Sequence, residues 1–119
     1  MTTVLLCDDS MFARTMTRRL LDDAGCTVVG EAVDGEEAVT MYRDLQPDLL
    51  LVDLVMPRCS GTEAIRRIMA EKPEARILVC SAMGQESMVN EALAVGARGF
   101  VVKPARAEAL KSALADALR

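Results

Sequence analysis

The chain contains no histidine, and that one absence removes histidine acid–base catalysis and histidine metal ligation together. Aromatic residues are scarce, one tyrosine and two phenylalanines, so any core must be aliphatic, built from Leu, Val, Ala and Met. There is no basic excess. The formal net charge is −4, the wrong sign for a protein that grips a phosphate backbone, and no nucleic-acid partner is expected. No stretch reaches the roughly 18 consecutive apolar residues of a membrane span. Met1-Thr2-Thr3 lacks the basic start of a secretory signal, and a cytoplasmic location is expected. The four cysteines, at 7, 26, 59 and 80, include no C-x-x-C pair. Cys7 and Cys80 fall in apolar runs and read as reduced thiols packed as small hydrophobes. Cys59 lies in a polar loop and is the thiol placed for exposure. There is no Walker loop and no G-x-G-x-x-G after the first apolar run, where acids stand instead, so a nucleotide site is disfavoured. Internal repeats, linkers and low-complexity tracts are missing too.

What is present is a length of 119 residues, the size of one domain (residues 1–119), with 51% hydrophobic residues to supply a core. Five apolar runs, Val4–Cys7, Thr27–Ala32, Leu49–Asp53, Arg76–Ser81 and Gly99–Lys103, alternate with helix-patterned stretches. Leu49-Leu50-Leu51-Val52 and Ile77-Leu78-Val79-Cys80 show no polar alternation, the mark of strands buried on both faces of a parallel sheet. The first helix begins near Met11 and ends at Gly25, with Phe12, Met16 and Leu20 on the inward stripe and Arg14, Arg18, Arg19 and Asp22 outward. The others span about Glu36–Leu45, Thr62–Lys72, Glu86–Val95 and Ala107–Leu118. Their inward residues are Ala38, Val39, Tyr42 and Leu45; Ile65, Ile68 and Met69; Val89, Ala92 and Leu93; and Leu110, Leu114 and Leu118. The pattern is α/β, a (βα)5 doubly wound five-stranded parallel sheet of flavodoxin-like order 2-1-3-4-5.

In such a sheet, ligands bind beyond the carboxyl ends of the strands at the switch in strand order, between strands 1 and 3. Strand 1 runs into Asp8-Asp9 and strand 3 ends in Asp53. Carboxylates crowded there repel unless a cation neutralises them, and all-oxygen ligation suits Mg²⁺ or Mn²⁺. Asp8-Asp9-Ser10 equally suits a helix cap, but a cap does not account for Asp53, which precedes an irregular loop. Strand 4 ends in Ser81 and strand 5 in Lys103. A hydroxyl and an ammonium beside a carboxylate–metal cluster are what a bound phosphoryl group needs.

Asp8-Asp9, Asp53 with Met56-Pro57 and Gly61, Ser81-Ala82, and Lys103-Pro104 together resemble the receiver domain of response regulators over essentially the whole chain. Val79-Cys80-Ser81-Ala82-Met83-Gly84-Gln85 is similar to the stand-alone chemotaxis members of Gram-positive and thermophilic bacteria. The resemblance implies phosphorylation of Asp53 by a CheA-like histidine kinase. Mg²⁺ would be held by Asp9, Asp53 and the Val55 carbonyl, with Asp8 acting through water. Lys103 and Ser81 would engage the phosphoryl oxygens, Phe100 would be the aromatic switch, and Lys103-Pro104 a cis peptide. Output is expected on the helix 4–strand 5–helix 5 face, through a patch of Val89, Leu93, Phe100 and Val102. The expected target is a FliM-like flagellar motor switch protein. A separate phosphatase is expected because neither Val55 nor Met83 can activate water. The chain stops after the fifth helix, which leaves no room for a DNA-binding output domain, and a monomer is the default. The alternatives are a phosphorelay receiver and a metal-dependent phosphohydrolase. The hydrolase is disfavoured by Val55, which stands where such enzymes commonly carry a second aspartate.

Overall fold

The computed structural model describes residues 1–119. Five strands and five helices alternate: β1 (Thr3–Cys7), α1 (Met11–Asp23), β2 (Thr27–Ala32), α2 (Gly35–Leu45), β3 (Leu49–Asp53), α3 (Gly61–Glu71), β4 (Ile77–Ser81), α4 (Glu86–Ala94), β5 (Gly99–Val102) and α5 (Ala107–Ala117). The strands form one sheet in the order β2-β1-β3-β4-β5, every pairing parallel. The expected elements are all found, with ends shifted by a residue or so. Lys103, for instance, lies just past the end of β5 instead of inside it.

The two-residue period of the strands sorts their side chains into two layers. Leu5, Cys7, Leu50, Val52, Ile77 and Val79 face α2, α3 and α4, where Tyr42, Ile65, Ile68 and Val89 meet them. Val4, Leu6, Leu49, Leu51, Leu78 and Val101 face the opposite way, against Leu21 of α1 and Leu110 and Leu114 of α5. Every residue of β3 and β4 is buried, as runs without polar alternation require. Each fully buried leucine in these layers contributes about 1.5–3 kcal/mol relative to exposure. Gly25 (φ +83°) and Gly96 (φ +129°) end α1 and α4 in the left-handed conformation that an ordinary side chain resists. No helix is long and apolar enough to cross a membrane.

Three expected burial assignments are corrected. Two of the three residues expected to anchor α1 face outward: Phe12 is 78% and Met16 47% exposed, while Leu20 is half-buried against the core as expected and Arg14, Thr17 and Leu21 are buried. The helix is turned because Arg14 packs its stem inward and places its charge on fixed acceptors. Its Nη1 donates to the Asp8 carbonyl at 2.6 Å and its Nε to Glu31 of β2 at 3.0 Å. Arg18 adds a second ion pair to Glu31 at 2.5 Å. Leu45, at the last turn of α2, is exposed. Cys59, expected in the open, is buried against the Gly35 end of α2, where its carbonyl accepts from the Gly35 N–H at 3.0 Å. Cys7 and Cys80 are buried as expected, and all four cysteines are free thiols.

Candidate functional site

Adjacent parallel strands bring the acids together. β1 pairs with β3 through Cys7 opposite Val52, so the next residues along each, Asp8 and Asp53, emerge side by side at the carboxyl edge. Asp8, Asp9 and Asp53 each offer a carboxylate oxygen, and these atoms lie within 4.8 Å of one another. Asp8 and Asp53 are buried and Asp9 is exposed, so the cluster is walled on one side and open to solvent on the other. Lys103 reaches in from the end of β5. Its Nζ sits 2.5 Å from Asp8 Oδ2 and 3.1 Å from Asp53 Oδ2.

The cap and the metal readings of Asp8-Asp9-Ser10 separate cleanly. Ser10 caps α1, its Oγ accepting from the Ala13 N–H at 3.2 Å. Asp8 Oδ1 accepts from the Ser10 N–H at 2.9 Å, while its Oδ2 points to Lys103. Burial pushes the Asp53 carboxyl above its ordinary range, against the pull of Lys103, and the neighbouring Asp8 charge pushes the same way. For Lys103, burial works against the ammonium, but its hydrogen bond to Asp8 and the field of Asp53 outweigh that and hold its pKa above the usual value. One ammonium faces three carboxylates, which leaves an all-oxygen donor set with unbalanced negative charge. That is the chemistry of a hard divalent cation, and it fits Mg²⁺.

The remaining expected residues frame this centre. Ser81 ends β4, buried, its carbonyl accepting from the Lys103 N–H at 2.6 Å. The Lys103–Pro104 peptide is cis, as expected. The Val55 N–H lies 3.4 Å from Asp53 Oδ1, at the start of the loop that joins β3 to α3. Of the expected patch, Phe100 and Val102 are exposed by 48% and 40% and border a shallow groove with Ser81, Met83 and Asn90. Val89 forms the buried floor of that groove, and Leu93 packs against the core outside it.

Two functional candidates escaped the sequence reading, Asp34 and Arg58. Asp34 caps α2, its Oδ1 accepting from the Glu37 N–H at 2.9 Å, and its side chain is almost wholly buried. Arg58, from the β3–α3 loop, places Nε 2.9 Å from Asp34 Oδ2 and makes a second contact to it through Nη2. The Asp34-Gly35-Glu36-Glu37 run carried a capping signal, but nothing in it pointed to an arginine 24 positions away.

The response regulator receiver domain model matches residues 4–115. The chemotaxis protein CheY of Thermotoga maritima is 48% identical over 101 residues, 85% of this chain and 84% of that protein. CheY of Listeria monocytogenes is 43% identical over 98% of both chains. Among solved structures, the CheX–CheY–BeF3–Mg²⁺ complex from Borrelia burgdorferi aligns with a TM-score of 0.89 at 31% identity, over 95% of this chain and 86% of that one. With its sheet order, its acidic pocket of the kind at which receiver domains bind Mg²⁺, and these relatives in agreement, the chain belongs to the response regulator receiver domain family.

Proposed function

We propose that residues 1–119 form a single phosphorylation-activated receiver in chemotaxis, a switch in place of an enzyme of turnover, with Asp53 as its phosphoacceptor. The observation that carries this reading is the Lys103 ammonium shared between Asp8 and Asp53 inside a three-carboxylate cluster. Lys103 offsets part of the cost of burying the Asp53 charge, which helps to keep it a usable nucleophile. One of its carboxylate oxygens attacks phosphorus in line. A P–O bond forms to Asp53, and the bond from phosphorus to the donor nitrogen of a histidine kinase breaks, leaving an acyl phosphate. Asp9, Asp53 and the Val55 carbonyl are the proposed Mg²⁺ ligands, with Asp8 holding a water. Mg²⁺ bound there neutralises charge on the phosphoryl oxygens. Lys103 turns from the Asp53 carboxylate to a phosphoryl oxygen, and Ser81 donates to another.

The switch element follows from adjacency. Movement of Ser81 toward the phosphoryl group opens space at the end of β4, and Phe100, half-exposed on the neighbouring β5, turns into it. The groove beside Phe100 and Val102 then changes shape, and it is the proposed docking face for the output partner, a flagellar motor switch protein. Val55 is 51% exposed and apolar and cannot activate water, which supports a slow self-dephosphorylation and a separate phosphatase. A CheX–CheY complex is known for the Borrelia relative.

Incubation with acetyl phosphate and Mg²⁺, read by intact mass, tests the reading. Wild type should gain one phosphoryl group and Asp53→Asn none. Equal labelling of the variant removes Asp53 from the mechanism.

A further inference from the structure

The β3–α3 loop carries a backbone outlier that the acceptor chemistry does not use. Arg58 adopts φ +64°, the left-handed conformation that favours glycine. An ordinary side chain there costs roughly 1 kcal/mol, so something must hold it. The holder is Asp34. Its carboxylate is walled off from water, and a buried carboxylate needs partners for both oxygens. Oδ1 has the Glu37 N–H, and Oδ2 has two N–H groups of the Arg58 guanidinium.

A second tie lies one residue on. The Gly35 N–H donates to the Cys59 carbonyl at 3.0 Å, and a Cβ on Gly35 would stand 2.3 Å from that oxygen. The loop between Asp53 and α3 is thus fastened to the first turn of α2 at two consecutive residues. Upstream of these ties lies Val55, whose carbonyl is the proposed metal ligand. Val55 and Pro57 are exposed, and the one packing anchor of this stretch is the half-buried Met56, whose Sδ lies 3.3 Å from the Cys7 thiol.

We propose that the Arg58–Asp34 ion pair is the positioning element of the metal site, holding the loop so that the Val55 carbonyl faces Asp9 and Asp53. This rests on the Mg²⁺ site of the preceding reading. Arg58 touches neither metal nor phosphoryl group; it acts through the loop.

Electrostatics and positioning predict opposite signs, which makes the test sharp. Removing the Arg58 cation leaves the acidic pocket more negative, and charge alone would tighten Mg²⁺ binding. Loss of positioning weakens it. Partners that orient metal ligands typically matter 10–100-fold. A partly exposed tie acting through backbone is expected to fall below that range, at roughly threefold to tenfold. Arg58→Gly is the variant of choice because glycine keeps φ +64° accessible while removing the ion pair, and Arg58→Lys and the Asp34→Asn background control for the backbone freedom it adds. The chain has no tryptophan, so Mg²⁺ affinity is read by titration calorimetry, with circular dichroism confirming the fold. The expected result is a several-fold higher Kd for Arg58→Gly, with part of the affinity restored in Arg58→Lys. In an Asp34→Asn background, where the cap survives, Arg58→Gly should cause no further loss. A Kd for Arg58→Gly equal to or below that of wild type overturns the proposal, as does an undiminished further loss in the Asp34→Asn background. Wild type that binds no Mg²⁺ would remove the underlying reading, and the positioning role with it. Tight binding by both wild type and Arg58→Gly would remove the positioning role alone.

Discussion

Gly61 opens α3 directly behind Asp53, and substituting alanine there should damage the fold far more than a one-carbon change suggests. A Cβ built on Gly61 would stand 2.2 Å from the Asp53 carbonyl oxygen and 2.7 Å from Leu54 Cα. Both are backbone atoms of β3 and its exit, so no rotamer change relieves the overlap. The Gly61 N–H donates to the Leu54 carbonyl at 2.9 Å, and that bond would be stretched or lost. Overpacking typically costs 1–3 kcal/mol, and the hydrogen bond adds about 1 kcal/mol. Against this, alanine is favoured over glycine in a helix by about 1 kcal/mol. The last two terms cancel, and the net expectation is a destabilisation of about 2 kcal/mol, or roughly 8 °C in Tm for a chain of this size. Gly84→Ala is the control. Gly84 has φ +88° with nothing within 4 Å of its added Cβ, so only conformational cost of about 1 kcal/mol remains. Urea unfolding followed by far-UV circular dichroism measures both. If Gly61→Ala costs no more than Gly84→Ala, the close approach of α3 to Asp53 is not what fixes that residue.

Two further outcomes are expected. The orientation of α1 predicts that Phe12→Ala shifts stability by under about 0.5 kcal/mol, as for an exposed residue, whereas Leu21→Ala costs about 2–5 kcal/mol; denaturant midpoints decide, and the reverse ranking would restore the outward stripe to the core. In Mg²⁺-free buffer, Asp53 has a folded-state pKa above its unfolded value, so the folded state binds its proton more tightly. Its stabilising contribution is therefore full below the unfolded pKa and is lost as pH rises through the folded one. Wild type should lose stability relative to Asp53→Asn over that rise in a pH series of thermal melts, and a wild type that gains stability relative to the variant over the same rise would contradict the raised pKa.

The sheet was legible because β3 and β4 are unbroken apolar runs and leave little choice of partner or face. The site was legible for a related reason: strand ends in parallel order converge, so Asp8, Asp53, Ser81 and Lys103 could be placed without knowing a single contact. α1 was misread because hydrophobic periodicity assigns Arg14 to solvent, while its stem is buried and its charge is met by Glu31 and the Asp8 carbonyl. Cys59 was misread because the polarity of its neighbours describes the loop's outer side only. The Arg58–Asp34 tie had no local signature, since it depends on how the β3–α3 loop folds back on α2.

The reach of Lys103 has a consequence for the order in which the molecule is completed. Its ammonium joins residues 95 and 50 positions away, from a strand that cannot pair until β4 is in place. Contacts of such separation form late, after the loops between them have been closed. A nascent chain that has not yet reached Lys103 would hold the carboxylates and lack their counter-charge. The charge balance of the pocket is therefore a certificate of finished folding, issued by the residue that follows β5.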